Sequence, residues 1–259
     1  MSASLIDSHC HIPMINMESG TEAIIDEAKN NGIEHMLCAS IDLDDYPEIL
    51  ALAEKYDEVS ASVGVHPNSK VRDEPEIDQL VKLAQNPNVI AVGETGLDCL
   101  HSEGNLDRQR ERFRIHIKAA KKSKKPLIVH SREAKNDVMR ILEEEDADTV
   151  GGVMHCFVDD WETAKKAIDL GFYISFSGIV TFKNATELKE VAKLLPIDKM
   201  LIETDAPFLT PMPYKEKQNR PACVRYVAEH IAELRRESYE SIACNTSQNF
   251  YTLFNNKYE

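Results

Sequence analysis

The chain has 259 residues, of which 42% are hydrophobic and 29% are charged, so a disordered chain is excluded and one large core is expected. Its 44 acidic and 30 basic side chains give a formal net charge of −14, which disfavours tight coating of nucleic acid or of anionic membranes. The length fits one α/β barrel, so we expect a single domain over residues 1–259. No apolar run is long enough for a bilayer, no secretory signal is visible, and the six cysteines form no CxxC pair, so we expect a cytoplasmic protein.

Short β-branched and apolar runs alternate with amphipathic helical patterns, and these runs predict eight strands. They are Ser4–His9, His35–Ala39, Val59–Gly64, Asn88–Gly93, Pro126–Val129, Val150–Met154, Phe172–Phe176 and Lys199–Glu203. Strands that are separated by helices pair in parallel through right-handed crossovers. No glycine-rich phosphate loop follows the first strand, so a closed (β/α)8 TIM barrel is favoured over an open nucleotide-binding sheet.

Two residues outside the strands predict where helices begin, and the C-terminal segment predicts helices that close one end of the barrel. Ser131 is placed to cap the helix after the fifth strand, and Pro221 is placed to open a later helix. The tail from Tyr239 to Phe254 is predicted to form one or two closing helices.

Polar residues of unusual type fall at the carboxyl ends of the predicted strands. They are His9, His11, His66, Glu94, His130, His155, Glu203 and Asp205. In a barrel these strand ends share one rim, where active sites form, so we expect the side chains to converge. A lone histidine after a strand is more often a hydrogen-bonded core residue. Five histidines and three carboxylates at one rim are hard to explain by packing, because buried polar groups need partners.

The segment DSHCH is the sharpest local motif. Alternate residues of a strand point to the same face, so we expect Asp7, His9 and His11 to project together into the barrel. His9 and His11 then form a natural metal-binding pair. The Asp7 carboxylate, one step deeper, is expected to accept a hydrogen bond behind them.

The rim residues are numerous enough to hold two divalent ions. The candidate ligands are His9, His11, Glu94, His130, His155 and Asp205. Glu94 suits a bridging position, because a carboxylate offers two oxygens. Two ions ~3.5–4 Å apart would clamp the attacking and the leaving oxygens of a phosphodiester. Such ligands suit Zn, Mn, Ni or Fe by affinity, and Mg could serve in the cell, so the metal identity stays open.

A set of motifs in this order resembles a known family. DSHCH, GVHP, GETGLD, VHSREA, MHCF, YISFSGIVTFKNA and ETDAPFL occur between Ile6 and Phe254. They resemble the TatD-family metal-dependent deoxyribonucleases of the amidohydrolase superfamily. The resemblance implies a TIM barrel with two metals, hydrolysis of DNA phosphodiester bonds, and 3′→5′ exonuclease activity on single strands. The chain departs from the family pattern at Cys99, where an aromatic residue is expected after GLD, and at Lys217–Pro221, a variant of an Asn-x-Pro loop; both positions are expected at the substrate rim.

The resemblance also implies roles for the site residues. The implied ligand sets are His9, His11 and Asp205 for the first metal, His130 and His155 for the second, and Glu94 as the bridge. Asp205, His66 and Glu203 are the implied catalytic residues, with His66 and Glu203 contacting the scissile phosphate or orienting the ligands.

Basic and aromatic residues on the rim loops are candidates for substrate contacts. Arg132, Lys183 and Arg220 follow strands five, seven and eight, so we expect them to bind phosphate. Aromatic residues on the rim loops either stack on bases or pack within their loops; they are Phe182, Phe208 and Tyr214. A lysine run precedes the fifth strand and is expected at the opposite end of the barrel, as a solvated helix terminus; its members are Lys118, Lys121, Lys122, Lys124 and Lys125.

Two other functions stay open at this point. One is hydrolysis of a small amide, ester or lactone on the same barrel, although such barrels often bridge their metals with a carboxylated lysine where this chain has Glu94. The other is a non-catalytic metal-binding or scaffold protein. The expected partner is DNA with single-stranded ends, and no obligate protein partner is evident.

Overall fold

The structure, a computed structural model, describes residues 4–102 and 106–254. Its parallel strands lie in chain order in one sheet. They are β1 (Leu5–Cys10), β2 (Ile33–Cys38), β3 (Val59–Val63), β4 (Val89–Asp98), β5 (Leu127–Arg132), β6 (Gly152–Met154), β7 (Phe172–Phe176) and β8 (Met200–Ile202). The α-helices are α1 (Gly20–Asn30), α2 (Tyr46–Lys55), α3 (Ile77–Ala84), α4 (Asp107–Ser123), α5 (Lys135–Glu144), α6 (Trp161–Asp169), α7 (Thr186–Leu194), α8 (Val224–Arg235) and α9 (Tyr239–Phe254).

The sheet closes into a barrel where the chain leaves β8. Cys10, at the end of β1, forms a parallel bridge with Ala206. The amide of His11 donates to the Ala206 carbonyl at 2.8 Å, and the amide of Asp205 donates to the His9 carbonyl at 2.9 Å. The predicted (β/α)8 barrel is therefore confirmed, and three of the predicted ligands, His9, His11 and Asp205, take part in its closure.

Apolar side chains form two clusters. The larger one fills the space between the strands and the surrounding helices. The smaller one gathers side chains from strands on opposite sides of the sheet, such as Ile6, Ile128 and Leu201, which can meet only inside the barrel. Phe250 and Phe254 of α9 belong to this inner cluster.

Helix α9 covers the amino-terminal end of the barrel. The Ser247 hydroxyl donates to the carbonyl of Ser4, just before β1, at 3.1 Å. The side-chain amide of Asn249 donates to the backbone carbonyls of Ile197 and Met200, near the start of β8, at 2.7 and 2.8 Å. The tail thus forms one closing helix, and the opposite end of the barrel is left for the polar residues.

Two strands extend further than the sequence predicts. β4 continues to Asp98, so Glu94 lies inside the strand rather than at its end. β5 continues to Arg132 and includes Ser131, which therefore does not cap α5. The Ser131 hydroxyl instead donates to Asp159 at 3.4 Å. Hydrogen-bonded pairing between β4 and β5 extends both strands into residues that the sequence analysis assigned to loops.

The structure agrees with the predictions for Pro221 and for the lysine run. A short 3-10 turn at Pro221–Cys223 leads directly into α8. The lysine run ends α4 and precedes β5, at the end of the barrel away from the polar rim. There Lys122 pairs with Asp78 at 2.6 Å and Lys121 donates to the Glu145 carbonyl at 2.7 Å. These lysines tie neighbouring helices together.

Candidate metal centre

The carboxyl ends of the strands bring the predicted metal ligands and the predicted catalytic residues together. They are His9 and His11 at β1, His66 after β3, Glu94 in β4, His130 in β5, His155 after β6, and Glu203 and Asp205 after β8. Glu94 lies at the centre. Each of the five histidines has a ring nitrogen within 3.7 Å of one of its carboxylate oxygens.

The local backbone of β4 explains how Glu94 reaches this position. The pairing of β4 with β5 shifts between Val92 and Thr95, so the chain bulges at Glu94. Gly96 has φ +136°, and a Cβ there would lie 2.0 Å from the carbonyl oxygen of His130. Only glycine lets β4 approach β5 this closely, so the GETG segment sets the distance between Glu94 and His130.

One oxygen of Glu94 faces the histidines of β1. Its Oε2 lies 3.4 Å from His9 Nε2 and 3.7 Å from His11 Nε2. Asp205 faces the same two nitrogens, with Oδ1 at 3.7 Å from His9 and 3.4 Å from His11. Two imidazoles and two carboxylates therefore surround one point.

The other oxygen of Glu94 faces the histidines of β5 and β6. Its Oε1 lies 2.8 Å from His155 Nε2, 3.0 Å from His130 Nδ1 and 3.4 Å from His66 Nε2. The two oxygens of one carboxylate are thus directed at two different sets of imidazoles.

Several buried polar atoms of this cluster have no hydrogen-bond partner within residues 4–102 and 106–254. They are His9 Nδ1, Glu94 Oε2, His155 Nε2 and Glu203 Oε2. Buried polar atoms are nearly always paired, so such atoms call for another partner. Imidazole nitrogens and carboxylate oxygens that face one another suit a divalent cation.

Three overlapping groups have ligand atoms within 4.8 Å of one another: His9, His11 and Asp205; His9, Glu94 and His155; His66, Glu94 and His130. The residues present therefore fit divalent metal.

The two central carboxylates of the cluster are in the charge state that cation binding requires. Burial alone would raise the pKa of Glu94, but the charge of His155 and the hydrogen bonds from His130 and His155 outweigh it and help to hold that pKa well below its usual range. Burial is likewise outweighed at Asp205, where the hydrogen bond from His11 helps to lower the pKa. Burial lowers the pKa of His66 to about 4. Both carboxylates are thus ionised near pH 7, as metal ligands must be, and His66, which is not among the proposed ligands, is neutral. Despite burial, neighbouring carboxylates raise the pKa values of His11, His130 and His155, so a cation has to compete with protons for these three rings.

Glu203 lies behind His155 and does not line the cavity. Its side chain is fully buried, and Oε1 is 3.2 Å from His155 Nδ1 and accepts from the Cys156 amide at 2.7 Å. The structure therefore places Glu203 where it fixes the ring of His155, with Nε2 turned towards Glu94. It does not place Glu203 within reach of a substrate phosphate.

The prediction for Asp7 is wrong. The Ser8 hydroxyl meets that of Ser175 at 3.2 Å, and since β1 and β7 are not neighbours in the sheet, Ser8 faces the barrel interior. The pairing of β1 with β2 shifts between Asp7 and Cys10, which breaks the strict alternation. The carboxylate of Asp7 accepts instead from the amide of Thr204, at 2.8 Å, and from its hydroxyl, at 2.5 Å.

Asp98 is a polar residue of the rim that the sequence analysis missed. It is 2% exposed, and Oδ2 lies 3.3 Å from His130 Nε2 and 2.9 Å from His101 Nδ1. The amide side chain of Asn68 donates to the same oxygen at 2.8 Å. The signal was available, since Asp98 ends GETGLD on the strand that carries Glu94.

A cavity of about 540 Å³ opens over the metal centre, and its lining is divided in character. One side is apolar and includes Met14, Ile179 and Phe208. The Phe208 ring is 53% exposed, and its centroid lies 6.4 Å from that of His11. The other side carries Arg132, whose guanidinium has no hydrogen bond or ion pair within the described chain.

The other two predicted phosphate contacts are not part of this cavity. Arg220 pairs with Glu27 of α1 at 2.8 Å, so its charge is already compensated. Lys183 is exposed and does not line the cavity. Of the predicted aromatic residues, Phe182 lies under the ammonium group of Lys215 at 4.7 Å.

Tyr214 packs against Tyr226, with ring centroids 4.7 Å apart. Packing thus accounts for Tyr214, whereas Phe208 stays open to the cavity.

The fold and the cluster together define a class of protein. A parallel barrel with histidines and carboxylates gathered at the carboxyl ends of its strands is an architecture of metal-dependent hydrolases. None of the helices in the described part of the chain combines the length and apolar character that crossing a bilayer requires.

Comparison with known proteins identifies the family. Residues 6–255 match the model of the TatD related DNases, so the chain belongs to this family. It is 42% identical over 253 residues to the Escherichia coli K12 "uncharacterized metal-dependent hydrolase YcfH", covering 96% of this chain and 95% of that one. It is 41% identical to YabD of Bacillus subtilis, named in the same way, covering 96% and 98%.

Among solved structures, the TatD homologue YjjV of Escherichia coli K12 superimposes with a TM-score of 0.92 at 31% identity, covering 98% of this chain and 99% of that one. The resemblance in the sequence motifs is therefore confirmed, and the chain is a metal-dependent hydrolase of the TatD family.

Proposed function

We propose that this hydrolase cleaves phosphodiester bonds of DNA with two divalent ions, and that it removes nucleotides from the 3′ end of single strands. The observation that carries the proposal is the orientation of Glu94, whose Oε2 faces His9 and His11 while Oε1 faces His130 and His155. A carboxylate shared in this way is the ligand that a two-metal site requires. The name of the matched family, TatD related DNase, supports DNA as the substrate.

The ligands divide between the two proposed ions. One ion would be held by His9, His11 and Asp205, the other by His130 and His155, with Glu94 shared between them. Divalent ions held there would polarise phosphate oxygens and lower the pKa of a water molecule. Mg, Mn, Zn, Ni and Fe are all compatible with this donor set.

Asp205 is the proposed proton acceptor. Its carboxylate is ionised, because the hydrogen bond from His11 and the nearby imidazoles lower its pKa despite burial. Its side chain is 14% exposed and lines the cavity, so it can accept a proton from an attacking water. Its φ of +57° is unusual for a residue other than glycine, and such strained positions collect at functional sites.

Arg132 and His66 are the proposed contacts to the scissile phosphate. Both line the cavity, and Arg132 carries an uncompensated charge among the described residues. A guanidinium binds phosphate through two parallel hydrogen bonds, which positions it as well as neutralising it. Glu203 has an indirect role, because its carboxylate contacts and orients the ring of His155.

The shape of the cavity favours a flexible strand end. Apolar side chains form one wall, and the exposed ring of Phe208 projects there as a surface on which a base can stack. A single strand can turn its last base onto this wall, whereas a stiff duplex cannot. The acidic chain predicts weak binding of DNA outside this cavity. Six unpaired cysteines support a cytoplasmic location as part of the same proposal.

End-labelled single-stranded DNA tests the proposal. The protein is stripped with a chelator and then supplied with Mg²⁺, Mn²⁺ or Zn²⁺. We expect hydrolysis to disappear with the metal, to return with it, and to shorten the strand from the 3′ end. Full hydrolysis by verified metal-free protein would contradict the use of metal. Internal cuts in duplex DNA as the first products would contradict the 3′ exonuclease assignment.

Hydrolysis of a small ester, amide or lactone is the second candidate function. The observation in its favour is the cavity itself, whose volume of about 540 Å³ and mainly apolar wall suit a small molecule. A panel of such compounds in the same assay separates the two functions, since this alternative predicts turnover of the panel and none of DNA.

A further inference from the structure

An aspartate–histidine pair stands on the polar side of the cavity. Asp98 Oδ2 lies 2.9 Å from His101 Nδ1, and Asp98 Oδ1 accepts from the backbone amide of His101 at 2.8 Å. Asp98 is itself held by the amide group of Asn68 at 2.8 Å and is 2% exposed. The buried carboxylate therefore fixes both the backbone and the ring of His101.

The ring of His101 is directed outward from this anchor. Its side chain is 63% exposed and lines the cavity, and Nε2 has no partner in the described part of the chain. A histidine that only anchored its loop would not need to present its second nitrogen to the cavity. Because Nδ1 is held by Asp98, Nε2 is the ring nitrogen that remains for a substrate group.

Arg132 stands beside this pair. Asp98 and Arg132 are register partners in β4 and β5, and the Cys99 amide donates to the Arg132 carbonyl at 2.9 Å. Two side chains that can carry positive charge thus line the same edge of the cavity in a strongly acidic protein. Within residues 4–102 and 106–254, Asp98 is the one carboxylate that pairs with His101, and none pairs with Arg132. An edge of this kind suits the successive phosphates of a strand.

We propose that His101, oriented by Asp98, binds a phosphate of the substrate that flanks the one being cleaved. This inference rests on the proposed function and names a contact for it. His101 is separated from Glu94 by two intervening side chains, since Asp98 contacts His130 and His130 contacts Glu94. It therefore lies further out along the cavity than the proposed metal ligands, where the next phosphate along the strand can reach it. Asp98 is a positioning residue in this arrangement.

Two dinucleotides test the proposal with the metal-loaded protein. TpT contains only the scissile phosphate, whereas pTpT carries a second phosphate on its 5′ side. We expect the wild type to prefer pTpT over TpT in kcat/KM by about tenfold, as a charge-assisted hydrogen bond supplies. His101→Ala should bring this ratio close to one. Asp98→Asn should also lower the ratio, and a ratio cancels any change in kcat that both substrates share.

The matched control is Leu100→Ala. Leu100 lies on the same loop, is 52% exposed and does not line the cavity, so this variant should keep the preference for pTpT. An equal rate on both dinucleotides by the wild type, or an unchanged preference in His101→Ala, would overturn the proposal.

The proposed function and the phosphate contact fail in different ways. If the metal-loaded wild type cleaves neither dinucleotide nor longer DNA, the phosphodiesterase function fails. The dissociation constants of the uncleaved pTpT and TpT then decide the contact, since binding must show the same tenfold preference and its loss in His101→Ala. Equal dissociation constants would overturn it.

Discussion

The two ends of the barrel are built on opposite principles. At the amino end, Phe250 and Phe254 of α9 complete an apolar plug, and the polar side chains beside them donate to backbone carbonyls. At the carboxyl end, Glu94 and its histidines leave buried polar atoms without partners in the described residues. One end thus stabilises the fold, while the other gathers imidazole nitrogens and carboxylate oxygens that a divalent cation would satisfy.

The backbone shows the same difference. Non-glycine residues with positive φ follow the carboxyl ends of the strands at Glu133, Cys156, Asp205 and Leu209. Others, such as Lys124 and Arg236, end helices, where a left-handed residue is an ordinary cap. Strain that has no capping role is therefore gathered at the rim, where it aims side chains into the cavity.

The largest effect that this comparison predicts is the loss of activity in Asp205→Asn. Removal of the proton acceptor should lower kcat by roughly 10²–10⁴-fold. The metal-free variant should keep its fold, because asparagine tolerates the positive φ and its side-chain oxygen can still accept the hydrogen bond from His11. Melting with chelator and turnover with saturating metal are the two measurements. An active but destabilised variant would show that Asp205 is only a turn residue.

A substitution at the amino end of the barrel should lower stability and leave activity unchanged. Phe250 is 2% exposed, and Phe250→Ala should lower the free energy of unfolding by about 3–5 kcal/mol while kcat per folded molecule stays unchanged. Denaturant unfolding and an activity assay at low temperature measure the two quantities. Gln248→Ala, an exposed position on the same helix, is the control and should change stability by less than about 0.5 kcal/mol. A fall in kcat in Phe250→Ala without a loss of stability would contradict the division of labour.

The pH dependence of stability should contain a contribution from His116, which lies outside the metal centre. Its Nε2 accepts from the Val65 amide at 2.9 Å and its Nδ1 donates to the Arg112 carbonyl at 2.7 Å, so a second ring proton would have no acceptor. Burial lowers the pKa of His116 to about 4, so the native state binds fewer protons than the unfolded state between pH 6.5 and 4. Stability from this residue is complete above pH 6.5 and declines by about 3 kcal/mol as the pH falls to 4.

His116→Gln is the matching experiment. The variant should be less stable at pH 7 and should show a shallower loss of stability down to pH 4, measured by denaturant unfolding with chelator present. Parallel pH profiles for the variant and the wild type would contradict the assignment.

The smallest expected effect distinguishes two arginines. Arg132→Ala should raise the KM for DNA by about tenfold, because an unpaired charge on the cavity wall is lost. Arg220→Ala should leave KM within about twofold, since that guanidinium already pairs with Glu27 and a surface ion pair of this kind is worth little. Steady-state kinetics on single-stranded DNA measure both. Equal effects would mean that the cavity is not the binding surface.

Most of this arrangement can be predicted from the sequence, because a single rule of parallel barrels determines which residues meet. In a parallel barrel, residues at the carboxyl ends of strands meet, and that rule alone brings His9, Glu94, His130 and His155 to one point. The rule fails where the backbone is irregular. The shift in β1 pairing turns Asp7 towards Thr204, and periodicity cannot reveal such a shift.

Pairing between distant segments is the other limit. Arg220 follows a rim strand as a phosphate contact should, but Glu27 of α1 lies within reach only after folding. The position of Asp98 also depends on pairing between two segments of the chain. β4 extends four residues beyond Glu94, and ladder pairing with β5 rather than any residue pattern sets that length.

The central claim is that Glu94 is shared between two metal ions, and anomalous diffraction from a crystal of the zinc-loaded protein tests it most directly. The account predicts two zinc peaks, ~3.5–4 Å apart, with Glu94 between them. One peak should lie among His9, His11 and Asp205, and the other between His130 and His155. A single peak at full zinc occupancy, or two peaks that Glu94 does not touch, would contradict the account.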